Sequence, residues 1–256
     1  MQVHVHEMPQ RTAAPVLYLH GVPSDGADWL PFLLRTGGLA PDLPGFGRSP
    51  KGADFEYSIE GYTRFLRAFA DERGLERFSL VVHDWGAVGL ALAQESPERI
   101  DRLVVLNAVP LLAGYRWHRI ARAWRTPLAG ELLMGFSTRL GMRQLLKQAT
   151  PRREGLPEEM VDRIWRSFDH GTQRAILKLY RSAPPPVLEA AGARLGEIGR
   201  PSLVVWGGAD PYIAPSHGEA YAEALGARLE ALPDAGHWPW LDRPDAVDLV
   251  ADFLLA

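Results

Sequence analysis

Three titratable side chains occur in an order that suits nucleophilic catalysis. Asp84 follows the apolar run at 78–83 and precedes Trp-Gly-Ala, a pattern typical of a sharp strand-to-helix turn that presents one side chain above a sheet. Asp210 and His237 each come shortly after a later apolar run. We therefore predict that Asp84 is the nucleophile, His237 the base and Asp210 the acid that orients it.

A carboxylate at this turn predicts a particular reaction. Aspartate, with a reference pKa of about 3.9, is ionised at neutral pH and needs no base before it attacks. It suits an activated saturated carbon, one that bears a halide or the oxygen of a strained epoxide. The product is an ester of Asp84, which water activated by His237 would hydrolyse. The chain has no cysteine and no Gly-x-Ser-x-Gly sequence, so thiol and serine nucleophiles at such a turn are excluded.

A second motif, His-Gly-Val-Pro at 20–23, follows an early apolar run. We expect the backbone N–H groups of Val22 and Trp85 to form an oxyanion hole, in which each donor is worth about 3 kcal/mol. His20 is expected to stabilise its turn, and Asp42 to organise the loop at 41–47 by hydrogen bonding.

These motifs need a sheet to bring them together. Short apolar runs alternate with amphipathic stretches, which is typical of a parallel sheet built from strand–helix units. The predicted strands are 3–6, 16–19, 38–40, 78–83, 103–106, 202–206 and 228–232, and the predicted helices are 58–73, 86–95, 215–225 and 244–254.

The alternation stops after Pro110, and the chain from 111 to about 199 has helical patterns only. We predict a core formed by 1–110 and 199–256, with a helical cap at 111–198 over the carboxyl ends of the strands. Between 113 and 153 there are nine basic residues and one acidic residue. This stretch is either a solvated face or a surface that attracts anionic substrates or a membrane.

The motifs resemble those of the α/β-hydrolase superfamily, in its branch of epoxide hydrolases and haloalkane dehalogenases with an aspartate nucleophile. They are His-Gly-Val-Pro at 20–23, Asp-Leu-Pro-Gly-Phe-Gly-Arg-Ser at 42–49, His-Asp-Trp-Gly-Ala at 83–87, Gly-Gly-Ala-Asp-Pro at 207–211 and Gly-His at 236–237. The resemblance implies an α/β-hydrolase fold, with a mostly parallel sheet flanked by helices and an inserted all-helical cap domain.

Within that branch, the groups that stabilise the leaving group differ. Dehalogenases hold the halide with two N–H donors, and Trp85 matches the first. The second is commonly an asparagine where this chain has Val22, so Trp117 or Trp124 would have to replace it. Epoxide hydrolases use cap tyrosines as proton donors, and Tyr180, in a Tyr-Arg sequence, resembles the later of these.

We therefore predict an epoxide hydrolase that opens a small to medium hydrophobic epoxide to a diol, with Tyr180 assisting ring opening. The alternatives are a haloalkane or haloacid dehalogenase with the same triad and, less favoured, a ligand-binding member of the fold. The Trp-His pair at 117–118 is also similar to residues that bind fluoride in fluoroacetate dehalogenases. The predicted substrate-binding residues are Trp85, Tyr115, Trp117, His118 and Trp238. No metal or cofactor is implied.

Composition limits the other possibilities. The 256 residues include 28 basic and 31 acidic side chains, and the net charge of −3 gives no general attraction to nucleic acid. The N-terminus has no apolar signal segment and no long apolar run occurs, so we expect a cytoplasmic protein without a membrane span. Its expected partners are a small hydrophobic substrate and water, and it is expected to be a monomer or a homodimer.

Overall fold

A single seven-stranded sheet forms the centre of the protein. The structure is a computed structural model that describes residues 2–256. The strands lie in the order β1-β3-β2-β4-β5-β6-β7, and all are parallel except β1, which pairs antiparallel with β3 at one edge. Their bounds are β1 Val5–Met8, β2 Val16–Leu19, β3 Gly38–Pro41, β4 Phe78–Asp84, β5 Ile100–Ala108, β6 Ser202–Gly207 and β7 Arg228–Leu232.

Twelve α-helices connect and cover these strands in the described chain. Their bounds are α1 Leu30–Thr36, α2 Ile59–Glu72, α3 Val88–Glu95, α4 Arg119–Arg125, α5 Ala129–Gly135, α6 Arg139–Lys147, α7 Glu158–Ser167, α8 His170–Ser182, α9 Pro185–Ala191, α10 Pro215–Leu225, α11 Pro239–Asp242 and α12 Asp245–Leu255. Helix α1 packs against α12, and α2 packs against α3.

The central strands are buried along their whole length and mostly apolar because both faces of the sheet are covered. Every residue of β2, β4 and β6 is buried. This is the pattern of a parallel sheet between two helical layers, and it explains why these strands were visible as unbroken apolar runs. The predicted architecture, a mostly parallel sheet flanked by helices with a helical insertion before β6, is observed.

Each of the seven predicted strands is present, with shifted ends. The edge strand predicted at 3–6 begins at Val5 and continues to Met8. Helix α2 begins after Ser58, whose side chain accepts a hydrogen bond from the backbone N–H of Gly61 as a helix cap. The sequence analysis missed the short helices α1 and α11, because neither is long enough to show a helical period.

Residues 111–198, called here the helical insert, contain α4 to α9 and no strand. The insert is tied to the sheet loops by buried charge. Arg163 on α7 pairs with Asp25 and, at 2.6 Å, with the carboxylate of Asp28. Lys51 similarly contacts Asp169 at 2.8 Å. Within residues 2–256 no helix is long and apolar enough to cross a membrane.

Candidate active site

The predicted nucleophile lies at a sharp turn where β4 ends. Asp84 has φ 48° and ψ −120°, a conformation that costs free energy for a residue other than glycine. A short 3₁₀ turn and α3 follow it directly. Glycines make room for this turn: a Cβ on Gly21 would lie 2.4 Å from the Cβ of Asp84, and a Cβ on Gly86 would lie 2.1 Å from the carbonyl oxygen of Leu19. Close packing therefore fixes the Asp84 side chain above the sheet edge.

One carboxylate oxygen of Asp84 lies in the predicted oxyanion hole. The backbone N–H of Val22 donates to Oδ1 at 2.8 Å. Burial raises the pKa of Asp84, opposed by the charge of His237 and by backbone hydrogen bonds from Val22 and Trp85. The second oxygen, Oδ2, faces His237 Nε2 at 3.7 Å. It is therefore the oxygen placed to attack a carbon, while Oδ1 is already held by amide donors.

The predicted base and acid are also in contact. His237 Nδ1 and Asp210 Oδ2 are 2.8 Å apart. A proton on Nδ1 is thereby directed to Asp210, which leaves Nε2 facing Asp84. Burial disfavours the imidazolium form, but the carboxylates of Asp210 and Asp84 outweigh it and raise the pKa of His237 above 6.5. The pair is suited to accept a proton from a water molecule near Asp84.

Asp210 is hydrogen-bonded through both oxygens. Oδ1 accepts from the backbone N–H groups of Tyr212 at 2.7 Å and Ile213 at 3.2 Å. Oδ2 accepts from the amide of Asn107 at 2.8 Å, besides its contact with His237. Burial would raise the pKa of Asp210, but His237 and these donors lower it instead. The carboxylate is therefore ionised and held in one orientation.

Asn107 was missed by sequence analysis. It lies near the end of β5 with φ 34°, and its carbonyl oxygen accepts from the backbone N–H of Gly207 at 2.8 Å. A polar residue at the end of a buried apolar strand was the available signal. Its partner Asp210 is 103 residues away in the chain, so no local motif connects the two.

The carboxylate and imidazole open onto a cavity of about 40 Å³ between the sheet edge and the helical insert. Its walls include five residues predicted from the sequence for substrate contact or catalysis in addition to Asp84 and His237: Tyr115, Trp117, His118, Tyr180 and Trp238. The indole of Trp85 lies behind this wall and packs against the rings of Trp117 and Tyr180, with centroids 5.5 and 5.1 Å away.

Two of these side chains hold donors that are buried without a partner. Among the described residues, Trp85 Nε1 and the hydroxyl of Tyr115 make no hydrogen bond. Burial, reinforced by the charges of Asp84 and Asp210, raises the pKa of Tyr115. Burial likewise raises the pKa of Tyr180 well above 10. Both phenols are therefore protonated and able to donate near Asp84.

The expectation that Trp117 supplies a free halide donor is wrong. Its indole N–H donates to the carbonyl of Ala183 at 2.9 Å. The indole N–H of Trp238 is likewise bound to Asp28 at 3.0 Å. His118 caps α4, and burial lowers its pKa to about 4, so it is neutral at physiological pH. These three residues face the cavity, but their polar groups are largely committed to the protein.

The residues expected to be structural are structural. His20 Nε2 accepts from the backbone N–H of Leu43 at 2.8 Å. Asp42 accepts from the N–H groups of Gly26 and Arg48, each at 2.8 Å. They hold the loops beside the oxyanion hole in place.

Comparison with known proteins agrees with this geometry. A model of the alpha/beta hydrolase fold matches residues 14–244. The chain belongs to the α/β-hydrolase family. It is 28% identical over 236 residues to the haloalkane dehalogenase of Psychrobacter cryohalolentis, covering 84% of this chain and 73% of that protein. It is 28% identical to the haloalkane dehalogenase of Mycolicibacterium paratuberculosis over 247 residues, covering 90% and 79%.

Among solved structures, a putative ancestral haloalkane dehalogenase superposes on this α/β-hydrolase with a TM-score of 0.84 and 27% identity. That superposition covers 99% of this chain and 97% of the other. The similarity therefore includes the helical insert as well as the sheet.

Proposed function

We propose that this α/β-hydrolase hydrolyses the carbon–halogen bond of a small haloalkane. The observation that carries the proposal is a pair of buried donors near Asp84 that make no hydrogen bond of ordinary geometry in the described chain: the Tyr115 hydroxyl on the cavity wall and the Trp85 indole N–H, which lies against Tyr180. A departing halide needs hydrogen-bond donors and no proton. The relatives named haloalkane dehalogenases support the same choice, and epoxide opening, the first expectation from the sequence, becomes the second candidate.

In the first step, Asp84 Oδ2 attacks the carbon that bears the halogen. A C–O bond forms as the C–X bond breaks, and the bonding electron pair leaves with the halide. The hydroxyls of Tyr115 and Tyr180, which line the cavity, donate to the halide. Trp85 Nε1 lies behind the rings of Trp117 and Tyr180 and becomes a further donor when those rings shift around the bound substrate. The product is an alkyl ester of Asp84, which has lost its negative charge.

In the second step, water cleaves that ester. His237 Nε2 takes a proton from the water, and the oxygen attacks the carbonyl carbon of Asp84. The negative charge develops on Oδ1, which the N–H of Val22 already holds at 2.8 Å, together with the N–H of Trp85. The alcohol then leaves with the proton from His237, and the carboxylate is restored.

The helical insert, 111–198, is proposed to act as the cap that closes this site. It contributes Tyr115, Trp117, His118 and Tyr180 to the cavity wall. A volume of about 40 Å³ suits a substrate of few carbon atoms. The apolar walls exclude bulk water, which strengthens the interaction of each donor with the leaving group.

Epoxide hydrolysis is favoured by a different observation, the protonated phenols of Tyr115 and Tyr180 beside Asp84. An opening epoxide leaves as a strongly basic alkoxide, which must receive a proton. A phenol can supply it, whereas the indole N–H of Trp85 cannot.

The two candidates are separated by one pair of assays. Purified protein is given 1,2-dibromoethane, with released bromide measured, and styrene oxide, with diol measured. We expect bromide release and little diol, and Asp84→Asn should abolish either activity. Diol formation without bromide release would replace the proposal by the second candidate.

A further inference from the structure

The helical insert exposes an unusual apolar surface on α5 and the start of α6. Leu132 lies on α5, and Leu128 and Phe136, four residues before and after it, flank the two ends of that helix. The exposures of Leu128, Leu132 and Phe136 are 77%, 59% and 80%. Leu133 and Leu140 lie beside them in the chain and are exposed by 50% and 63%. We call these five residues the apolar ridge.

The rest of the described surface has no comparable group. The other exposed large apolar side chains, Leu30, Leu34, Val187 and Leu255, range from 38% to 57% exposure and are distributed over three other helices. Leu128 also has φ 67°, which is costly for a residue with a Cβ. Burial of the Leu128 side chain does not offset that cost, because the side chain is exposed to solvent. Contact with another molecule would bury it.

Free positive charge lies next to the ridge. Arg119 and Arg122 on α4 are exposed, and among residues 2–256 neither takes part in a salt bridge. Arg119 lines the same groove as Leu133 and Phe136. By contrast, Arg139 on α6 is paired with two carboxylates of α7. The α4 arginines are therefore available to an anionic partner.

The groove beside the ridge also borders the active-site cavity. Ile120, Trp124 and Leu145 contribute to the walls of both. The groove and the active-site cavity therefore share a wall to which these three side chains contribute.

We propose that the apolar ridge docks this protein on the surface of an anionic lipid bilayer, with α5 lying in the interface and Arg119 and Arg122 at the headgroups. A second copy is the less suitable occupant. A symmetric pair built on the ridge would bring the unpaired Arg119 and Arg122 of both copies close to one another. A lipid surface complements that charge. The further consequence, that apolar substrate passes from the bilayer through the groove, rests on the proposed function, but docking does not.

The test is cosedimentation of the protein with vesicles of phosphatidylcholine alone or mixed with phosphatidylglycerol. We expect binding to the mixed vesicles that falls as salt rises. Leu132→Ser with Phe136→Ser should lower the partition coefficient at least about tenfold. Arg119→Gln and Arg122→Gln should each lower it about fivefold. The matched control, Leu34→Ser with Leu255→Ser, removes two exposed apolar side chains elsewhere and should bind like the parent protein.

Equal binding of the ridge variant and the control, or no binding to mixed vesicles, would overturn the proposal. So would a dimer, seen by light scattering, that the ridge variant converts to monomer, since the ridge would then be an interface between copies. Circular dichroism of each variant checks that it is folded. Because Asp84→Asn should bind vesicles normally, failure of docking and failure of the proposed reaction are observed separately.

Discussion

The two sides of the candidate site differ in how completely their polar groups are bonded. On the acid–base side, Asp210 receives donors on both oxygens, and His237 is bound through Nδ1. On the leaving-group side, Trp85 Nε1 and the Tyr115 hydroxyl are buried without partners in the described chain. The Asp210–His237 pair is bonded before substrate arrives, although Nδ1 of the neighbouring His83 has no partner in the described chain, while the leaving-group side still lacks an acceptor.

This difference assigns the two sides their tasks. A buried donor without a partner costs about 1–3 kcal/mol, and a ligand that accepts from it offsets that cost where the donor lies at a cavity, as the Tyr115 hydroxyl does. A complete network instead keeps the imidazole aligned from one step to the next. Removing groups from the two sides should therefore have opposite effects on stability, although both lower activity.

The largest effect is expected from Asp84→Asn, which removes the group common to both sides. Turnover should fall by about 10⁴-fold or more, since no covalent ester can form. The free energy of unfolding should be unchanged or raised, because burial raises the pKa of Asp84 and disfavours its charge. Steady-state assays and thermal melts measure the two quantities. Substantial residual turnover would remove Asp84 from the mechanism.

The next largest effect is expected from Asp210→Asn, which removes the carboxylate that binds His237 Nδ1 on the acid–base side. Activity should fall by about 10³- to 10⁴-fold because the imidazole loses its orienting carboxylate. In the parent protein, ester hydrolysis should decline as the pH falls through the raised pKa of His237, since the base must be neutral. In Asp210→Asn the decline in ester hydrolysis should occur at lower pH, because loss of the carboxylate lowers the pKa of His237. An unchanged pH profile from single-turnover measurements would contradict the role given to Asp210.

A smaller effect is expected from Trp85→Phe, which removes the unpartnered indole N–H and keeps an aromatic ring. Bromide release should fall by about 10²-fold, as for loss of one transition-state donor. Tyr180→Phe is the matched change for the epoxide reaction. If Trp85→Phe leaves bromide release intact while Tyr180→Phe abolishes diol formation, the donors on this side protonate an alkoxide rather than stabilise a halide. That result would favour epoxide hydrolysis.

The smallest effect is expected from Tyr115→Phe in the absence of substrate. Deleting a buried hydroxyl that has no partner should raise the free energy of unfolding by about 1 kcal/mol. Asn107→Ala, on the acid–base side, should lower it by a similar amount or more because it strips a donor from Asp210. Urea titrations of the two variants provide the comparison. If both substitutions change the free energy of unfolding in the same direction, the distinction between the two sides is contradicted.

The sequence predicted the acid–base side well and the leaving-group side poorly. Asp84 ends β4, Asp210 follows β6 and His237 follows β7, and the carboxyl ends of parallel strands lie at one edge of a sheet. Their proximity follows from topology alone. Asn107 belongs to the same edge but lacks a motif, so nothing local distinguished it from a strand terminus.

The leaving-group side depends on the segment 111–118, which precedes α4 and forms no helix. Trp117 and Tyr115 are two residues apart, yet the indole N–H of Trp117 donates to the carbonyl of Ala183, whereas the hydroxyl of Tyr115 has no partner in the described chain. A hydrogen bond to a residue 66 positions away decides this, and no periodicity in the sequence contains it. Of the two expected halide donors, Trp117 is therefore wrong, while Trp124 lines the cavity and stays a prediction.

The most direct measurement of the central claim is trapping of the Asp84 ester. His237→Gln is mixed with excess 1,2-dibromoethane, and bromide, intact mass and peptide masses are followed. We predict one equivalent of bromide per active site and a stable bromoethyl adduct on the peptide that contains Asp84. Continued bromide release without an adduct, or an adduct on another residue, would contradict the covalent mechanism.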